Sequence, residues 1–143
     1  MASVSTYLNF KRETESAFNF YKKVFGTEFI GGVYRFSDMP SEEGAPPIAD
    51  EDKDLIMNIT LPIVGGHLLM GTDAPESMGF QLVQGNNVHI SLHLDSKKET
   101  EYFFRELSNE GVVSMDLNEM FWGEYYGSCT DKFGVQWMFH CPL

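Results

Sequence analysis

His89-Ile90-Ser91-Leu92-His93-Leu94, followed by a helical pattern with Thr100, Phe103, Phe104 and Leu107 on one face, decides the fold, because the chain uses the same arrangement earlier. Thr6-Tyr7-Leu8-Asn9-Phe10 is the first copy, and Ala17, Phe20, Tyr21 and Val24 supply its helical face. Thr6 precedes Phe20 by fourteen residues and His89 precedes Phe103 by the same fourteen, so the copies are offset by 83. A strand-helix unit repeated at a fixed distance implies two pseudo-equivalent modules. Paired modules share a cavity, so the search for chemistry starts at their strands.

Working outward, the first strand spans about 4–10 and a helix about 13–25, stopped by Gly26 at a C-cap position. Phe29 to Phe36 forms the next strand, with Gly31-Gly32 marking a bend or bulge. An acidic loop of about 37–53, carrying Pro40, Pro46 and Pro47, interrupts the module. Asp54–Pro62 and His67–Gly71 then read as a hairpin turning at Val64-Gly65-Gly66. After a linker of about 72–87, Val88–Asp95 opens the second copy. Ser96, with Glu99 three residues on, makes a capping-box start for its helix. Glu110-Gly111 ends that helix, and strands near 112–117, 123–129 and 135–141 complete the copy. Both halves read βαβββ. The fold class is α+β: modules of about 4–72 and 88–141 forming a cupped mixed sheet with helices on the outer face, in a single domain of 1–143.

Composition narrows the function. Hydrophobic content of 43% and twenty aromatics among 143 residues argue for a packed core and against disorder. A formal charge of -11 with only ten Lys and Arg excludes a nucleic-acid role, which needs clustered cations. Glu42, Glu43, Asp50, Glu51, Asp52 and Asp54 concentrate the acid and read as a solvated loop. No apolar run is long enough for a membrane span, and no signal peptide is visible, so a cytoplasmic protein with no membrane partner is expected. Cys129 and Cys141 have no metal-type spacing and read as two free thiols.

Alternation along the strands assigns faces. Val88, Ile90, Leu92 and Leu94 point one way, while His89, Ser91, His93 and Asp95 point the other. Near the end, Val135, Trp137 and Phe139 are the apolar set, leaving Gln136, Met138 and His140 opposite. Taken with Ala17-x-x-Phe20-Tyr21-x-x-Val24-Phe25-Gly26 and Thr130-Asp131-x-Phe133-Gly134-Val135-x-Trp137, the paired modules resemble the vicinal oxygen chelate superfamily of glyoxalases, extradiol dioxygenases and bleomycin-resistance proteins. Phe121-Trp122-Gly123-Glu124-Tyr125-Tyr126-Gly127 and Leu69-Met70-Gly71-Thr72-Asp73-Ala74 make the chain similar to the PhnB-like branch. Members of that branch are sometimes labelled ubiquinone-related methyltransferases. Methyl transfer is not expected here, because no GxGxxG strand-to-helix turn exists to cradle a nucleotide-like cofactor.

The resemblance implies four metal-ligand positions, falling on Thr6, about Leu69, His89 and Met138. Threonine is a weak donor, leucine none, and a thioether suits hard divalent ions poorly, so one ligand of four remains and no metal or other cofactor is expected. A relocated site using His67, His89, His93 or His140 with Glu124 is the alternative. On one strand, however, residues four apart stand about 13 Å from each other, so His89 and His93 cannot share an ion without a bulge.

The expected function is metal-independent binding of a small-molecule ligand. Thr6, Leu69, His89, Ser91, Trp122, Tyr126 and Met138 are the candidate contacts, with Leu8 beside them, and no catalytic residue is assigned. Trp122 can stack on a planar ligand, although Phe121, Trp122, Tyr125 and Tyr126 also read as ordinary half-buried sheet residues. His89 with Glu124 or Asp131 can be drawn as a proton-transfer pair, but Asp131 reads better as a turn residue. The resemblance further implies a homodimer. The alternatives are a divalent-metal-dependent lyase, isomerase or dioxygenase with relocated ligands, and a sequestering resistance protein for a planar compound.

Overall fold

The structure, a computed structural model, describes residues 1–40 and 43–143, so Glu42 of the acidic run lies outside the described residues. It divides into two compact units, Met1–Val83 and Gln84–Leu143.

In the first unit, β1 (Thr6–Phe10), α1 (Thr14–Phe25), β2 (Tyr34–Arg35), β3 (Ile56–Pro62) and β4 (Leu68–Asp73) form a mixed sheet ordered β1-β4-β3-β2. β1 runs parallel to β4, and the other pairs are antiparallel. The buried face of α1 is Thr14, Ala17, Phe18, Tyr21 and Val24, and Gly26 closes the helix at φ +66° with its N–H on the Lys22 carbonyl. Phe18, not Phe20, carries the packing: its ring lies over Gly71, where a Cβ would come within 2.5 Å of it. The expected second strand shrinks to two residues. Ile30 N–H still bonds the Thr60 carbonyl, yet Tyr34 pairs with Asn58, so four steps on one strand face two on the other. Gly31, at φ +68°, absorbs the surplus as a bend.

The acidic loop is not uniformly solvated. Asp52 is 2% exposed, sits 2.9 Å from Arg12 Nη1 and accepts a hydrogen bond from Ser77 Oγ at 2.7 Å. A run of acids in sequence carries no sign of which member turns inward, and a buried carboxylate needs such partners.

In the second unit, β5 (Ile90–His93), α2 (Lys97–Ser108), β6 (Val112–Glu119), β7 (Glu124–Thr130) and β8 (Gln136–Pro142) repeat the plan, ordered β5-β8-β7-β6 with β5 parallel to β8. Ser96 caps α2, accepting from Glu99 N–H at 3.1 Å, while the Glu99 carboxylate reaches back to Asp95 N–H at 3.4 Å. The first of these satisfies an orphan helix-start donor, and the second ties down the residue before the cap. Leu92, Leu107, Cys129, Trp137, Phe139 and Cys141 make the core, and Phe104 meets Phe139 edge-on at 5.4 Å. The architecture is α+β, two four-stranded mixed sheets each with one helix.

The helix packing changes the alignment of the copies. Thr14 and Thr100, Phe18 and Phe104, and Tyr21 and Leu107 are the matching core positions, each pair 86 residues apart rather than 83. An odd offset and an even one predict opposite strand faces. Thr6, Leu8 and Phe10 register with Leu69, Gly71 and Asp73, the side of the sheet that α1 covers. Thr6 is therefore out of phase with His89, whose parity partners Ser91 and His93 lie on the side away from α2.

Candidate functional site

The second sheet sorts its residues cleanly. Ile90, Leu92, Trp137, Phe139 and Cys141 point toward α2 and are largely buried. Ser91 pairs with Met138 and Ser128 with Met138, giving one row across three strands on the opposite face. His93 pairs with His140 and Tyr126 with His140, giving a second row directly beside it. Strand pairing thus places two imidazoles and a phenol side by side, although 47 residues separate His93 from His140 in sequence.

The contacts in this row are close. The His93 and His140 rings stack with centroids 4.7 Å apart and planes 6° from parallel, and Tyr126 packs at 4.9 Å on the other side of His140. Glu124 Oε2 is 3.3 Å from His140 Nδ1, and Trp122 Nε1 donates to Glu124 Oε1 at 2.8 Å. Ser91 Oγ and His93 Nε2 lie 3.3 Å apart. The His140 side chain is only 12% exposed, and neither ring nitrogen makes an aligned hydrogen bond. The Glu124 contact is therefore an electrostatic neighbour rather than a directed bond.

Burial pushes the His140 pKa below the usual histidine value, and stacked His93 lowers it further, while Glu124 pulls the other way. Burial wins, so His140 is neutral at neutral pH. With Nδ1 nearest the carboxylate, the favoured tautomer carries its proton there and leaves Nε2 as an acceptor.

The other expected contacts fall elsewhere. His89 lies just before β5 and is exposed. Leu69 is fully buried on the α1 side of the first sheet, and Thr6 Oγ1 is 2.9 Å from His67 Nε2 on that same side. Met70 takes the opposite face, where Ser5 Oγ donates to its sulfur at 3.5 Å. Ser91, Tyr126 and Met138 share one face of the second sheet, and Trp122 joins them through Glu124. Of the other aromatics in that run, Tyr125 turns to α2 and bonds Glu101 at 3.0 Å, whereas Phe121 stands almost entirely in solvent. The pairing of His93 with His140 was not read from sequence. Its signal lies in the βαβββ plan, which sets the first and last strands of a module side by side.

A divalent metal, implied by the fold, does not fit the donor set. Leu69 offers no donor, Met138 a thioether, Thr6 is engaged with His67, and His89 stands alone. Among the described residues no group of three or more His, Cys, Asp or Glu is arranged to hold an ion. Nucleophilic chemistry at Cys129 is equally unsuited: burial, helped by the Asp131 charge, pushes its thiol up to about 12. Asp131 itself accepts from Phe133 and Val135 N–H and, at 2.8 Å, from Trp137 Nε1, so it braces the β7–β8 turn. A groove of about 610 Å³ in the first unit is lined by Phe36, Met39, Pro46, Pro47, Ile48 and Lys53, with Lys53 paired to Asp50, and among the described residues it brings no reactive groups together.

Known proteins match this architecture. The chain is 30% identical over 146 residues to Protein YjdN of Escherichia coli strain K12, covering 94% of this chain and 92% of that one. Protein PA1353 of Pseudomonas aeruginosa is 33% identical, with a TM-score of 0.83 over 99% of this chain and 98% of that one. A Bacillus cereus structure described as a putative 3-demethylubiquinone-9 3-methyltransferase, PhnB protein, shares the fold at 21% identity and TM-score 0.73, covering 98% and 99%. Residues 2–139 match the family described as 3-demethylubiquinone-9 3-methyltransferase. The chain belongs to that family, and its fold is the one carried by a glyoxalase/bleomycin resistance/dioxygenase family structure from Burkholderia phytofirmans, 17% identical with a TM-score of 0.63.

Proposed function

We propose that the protein binds a small planar molecule without a resident metal, on the face of the second sheet that carries His93, His140 and Tyr126. The observation that carries this reading is the row of flat rings running from exposed His93 to largely buried His140 and Tyr126, flanked by Trp122 and Glu124, with Ser91 and Met138 in the row beside it. Stacked imidazoles and a phenol offer aromatic faces, and hydroxyl and carboxylate groups fix orientation. The family label does not extend to methyl transfer. β1 passes to α1 through Lys11-Arg12-Glu13 and β5 to α2 through Leu94-Asp95-Ser96, neither turn containing a glycine to admit a nucleotide-like cofactor.

Metal independence, a cytoplasmic setting and a homodimer belong to the same proposal. Among the described residues no helix is long and apolar enough to cross a membrane, which accords with the setting. Metal analysis of protein purified without chelator is the direct test. Substoichiometric metal, unchanged in His89→Ala and His140→Ala, is expected. Stoichiometric Ni, Zn, Mn or Fe that disappears in either variant overturns the metal-free reading and favours a relocated site.

A further inference from the structure

The groups lining this face share one property: they accept hydrogen bonds or present π-electrons. Glu124 contributes a carboxylate whose Oε1 takes the Trp122 indole N–H and whose Oε2 faces His140. His140 contributes an unpartnered, buried Nε2. Trp122, about half exposed, and Tyr126 contribute ring faces.

The cations of the second unit are placed elsewhere. Lys97, Lys98 and Arg105 belong to α2, where Lys97 pairs with Glu119 and Arg105 lies over the Tyr102 ring. Lys132 occupies the β7–β8 turn, paired with Glu110 at 3.2 Å. None of the four stands in the rows of Ser91, His93, Glu124, Tyr126, Met138 and His140. An anionic ligand would meet the Glu124 carboxylate with no cation of this sheet face to offset it. A cation with N–H donors meets a carboxylate and aromatic faces together.

We propose that this site selects planar organic cations carrying N–H donors, and discriminates against carboxylates and phosphorylated compounds of the same shape. This deepens the binding reading above and rests on it. Three probes of one shape separate the two: tryptamine, indole-3-propionamide and indole-3-propionate, titrated calorimetrically at about pH 8, where histidine is neutral. Tryptamine should bind about tenfold tighter than the propionate, with the amide between them. Glu124→Gln should erase the preference for tryptamine over the propionate, and an unchanged thermal unfolding transition reports that the variant is folded.

Equal binding of all three probes, or tryptamine selectivity that survives Glu124→Gln, overturns the charge selection and leaves the binding site standing. Binding of none of the three overturns both readings.

Discussion

His140 joins the chemistry of the second sheet to the stability of the protein. Its neutral form is held by burial and by stacked His93 against the pull of Glu124, with Tyr126 closing the other side of the ring. Below its ordinary value of 6.5 the unfolded chain binds a proton that the native site refuses. Stability should therefore be full above about pH 6.5 and decline as pH falls through the depressed native value. Urea unfolding between about pH 5 and 8 should show that decline flattened in His140→Gln. Parallel curves for the two proteins across the range would remove His140 from the account. Sequence parity had already set His140 with Met138 on one face of the last strand. The pairing with His93 was missed, because it needs the register of β5 along β8 as well as their adjacency.

Among the elements, β4 shows how little room the first module leaves. It is hydrogen-bonded to β1 on one side and β3 on the other, so its backbone cannot retreat from α1. The end of β4 also serves the helix. Asp73, 2% exposed, accepts from Thr14 N–H and Oγ1 and from Ile56 N–H, capping α1 from across the sheet while Glu13 gives no side-chain cap. Gly71→Ala drives a methyl into the Phe18 ring, and such overpacking costs about 1–3 kcal/mol. Thermal or urea unfolding should show the loss, and adding Phe18→Leu should recover part of it. No recovery would mean that the contact is not the cause. Helices, caps and hairpin were readable because propensity and spacing decide them. The choice of Phe18 over Phe20 was not: the two flank the Ala17, Tyr21 and Val24 stripe on opposite sides, and the approach of the sheet at Gly71 decides which one is buried.

At the scale of the whole molecule, the two modules keep one topology and differ in chemistry. The second ends in an edge strand, β6, with Val112, Val113 and Met115 exposed, and in a turn presenting Phe121 to solvent. Apolar edges of this kind are covered in stable proteins. Light scattering should therefore give about twice the chain mass of 16.2 kDa, and Val113→Lys should shift the population toward monomer. A monomer at all concentrations would leave that edge without a partner and remove the homodimer from the proposal. The repeat was legible, and with it the βαβββ plan. Its phase was not, because an odd and an even offset differ only in which helix residues meet the sheet, and that choice equated Thr6 with His89, whose parity faces the other way.

The two tryptophans divide the molecule optically. Trp122 stands about half exposed beside Glu124 at the proposed binding face, whereas Trp137 has no exposure and is fixed to Asp131 in the core. A soluble quencher reaches the first indole and not the second. The unmodified protein thus carries one emitter that reports occupancy and another that reports integrity, and Trp122→Phe isolates the second signal without an added label.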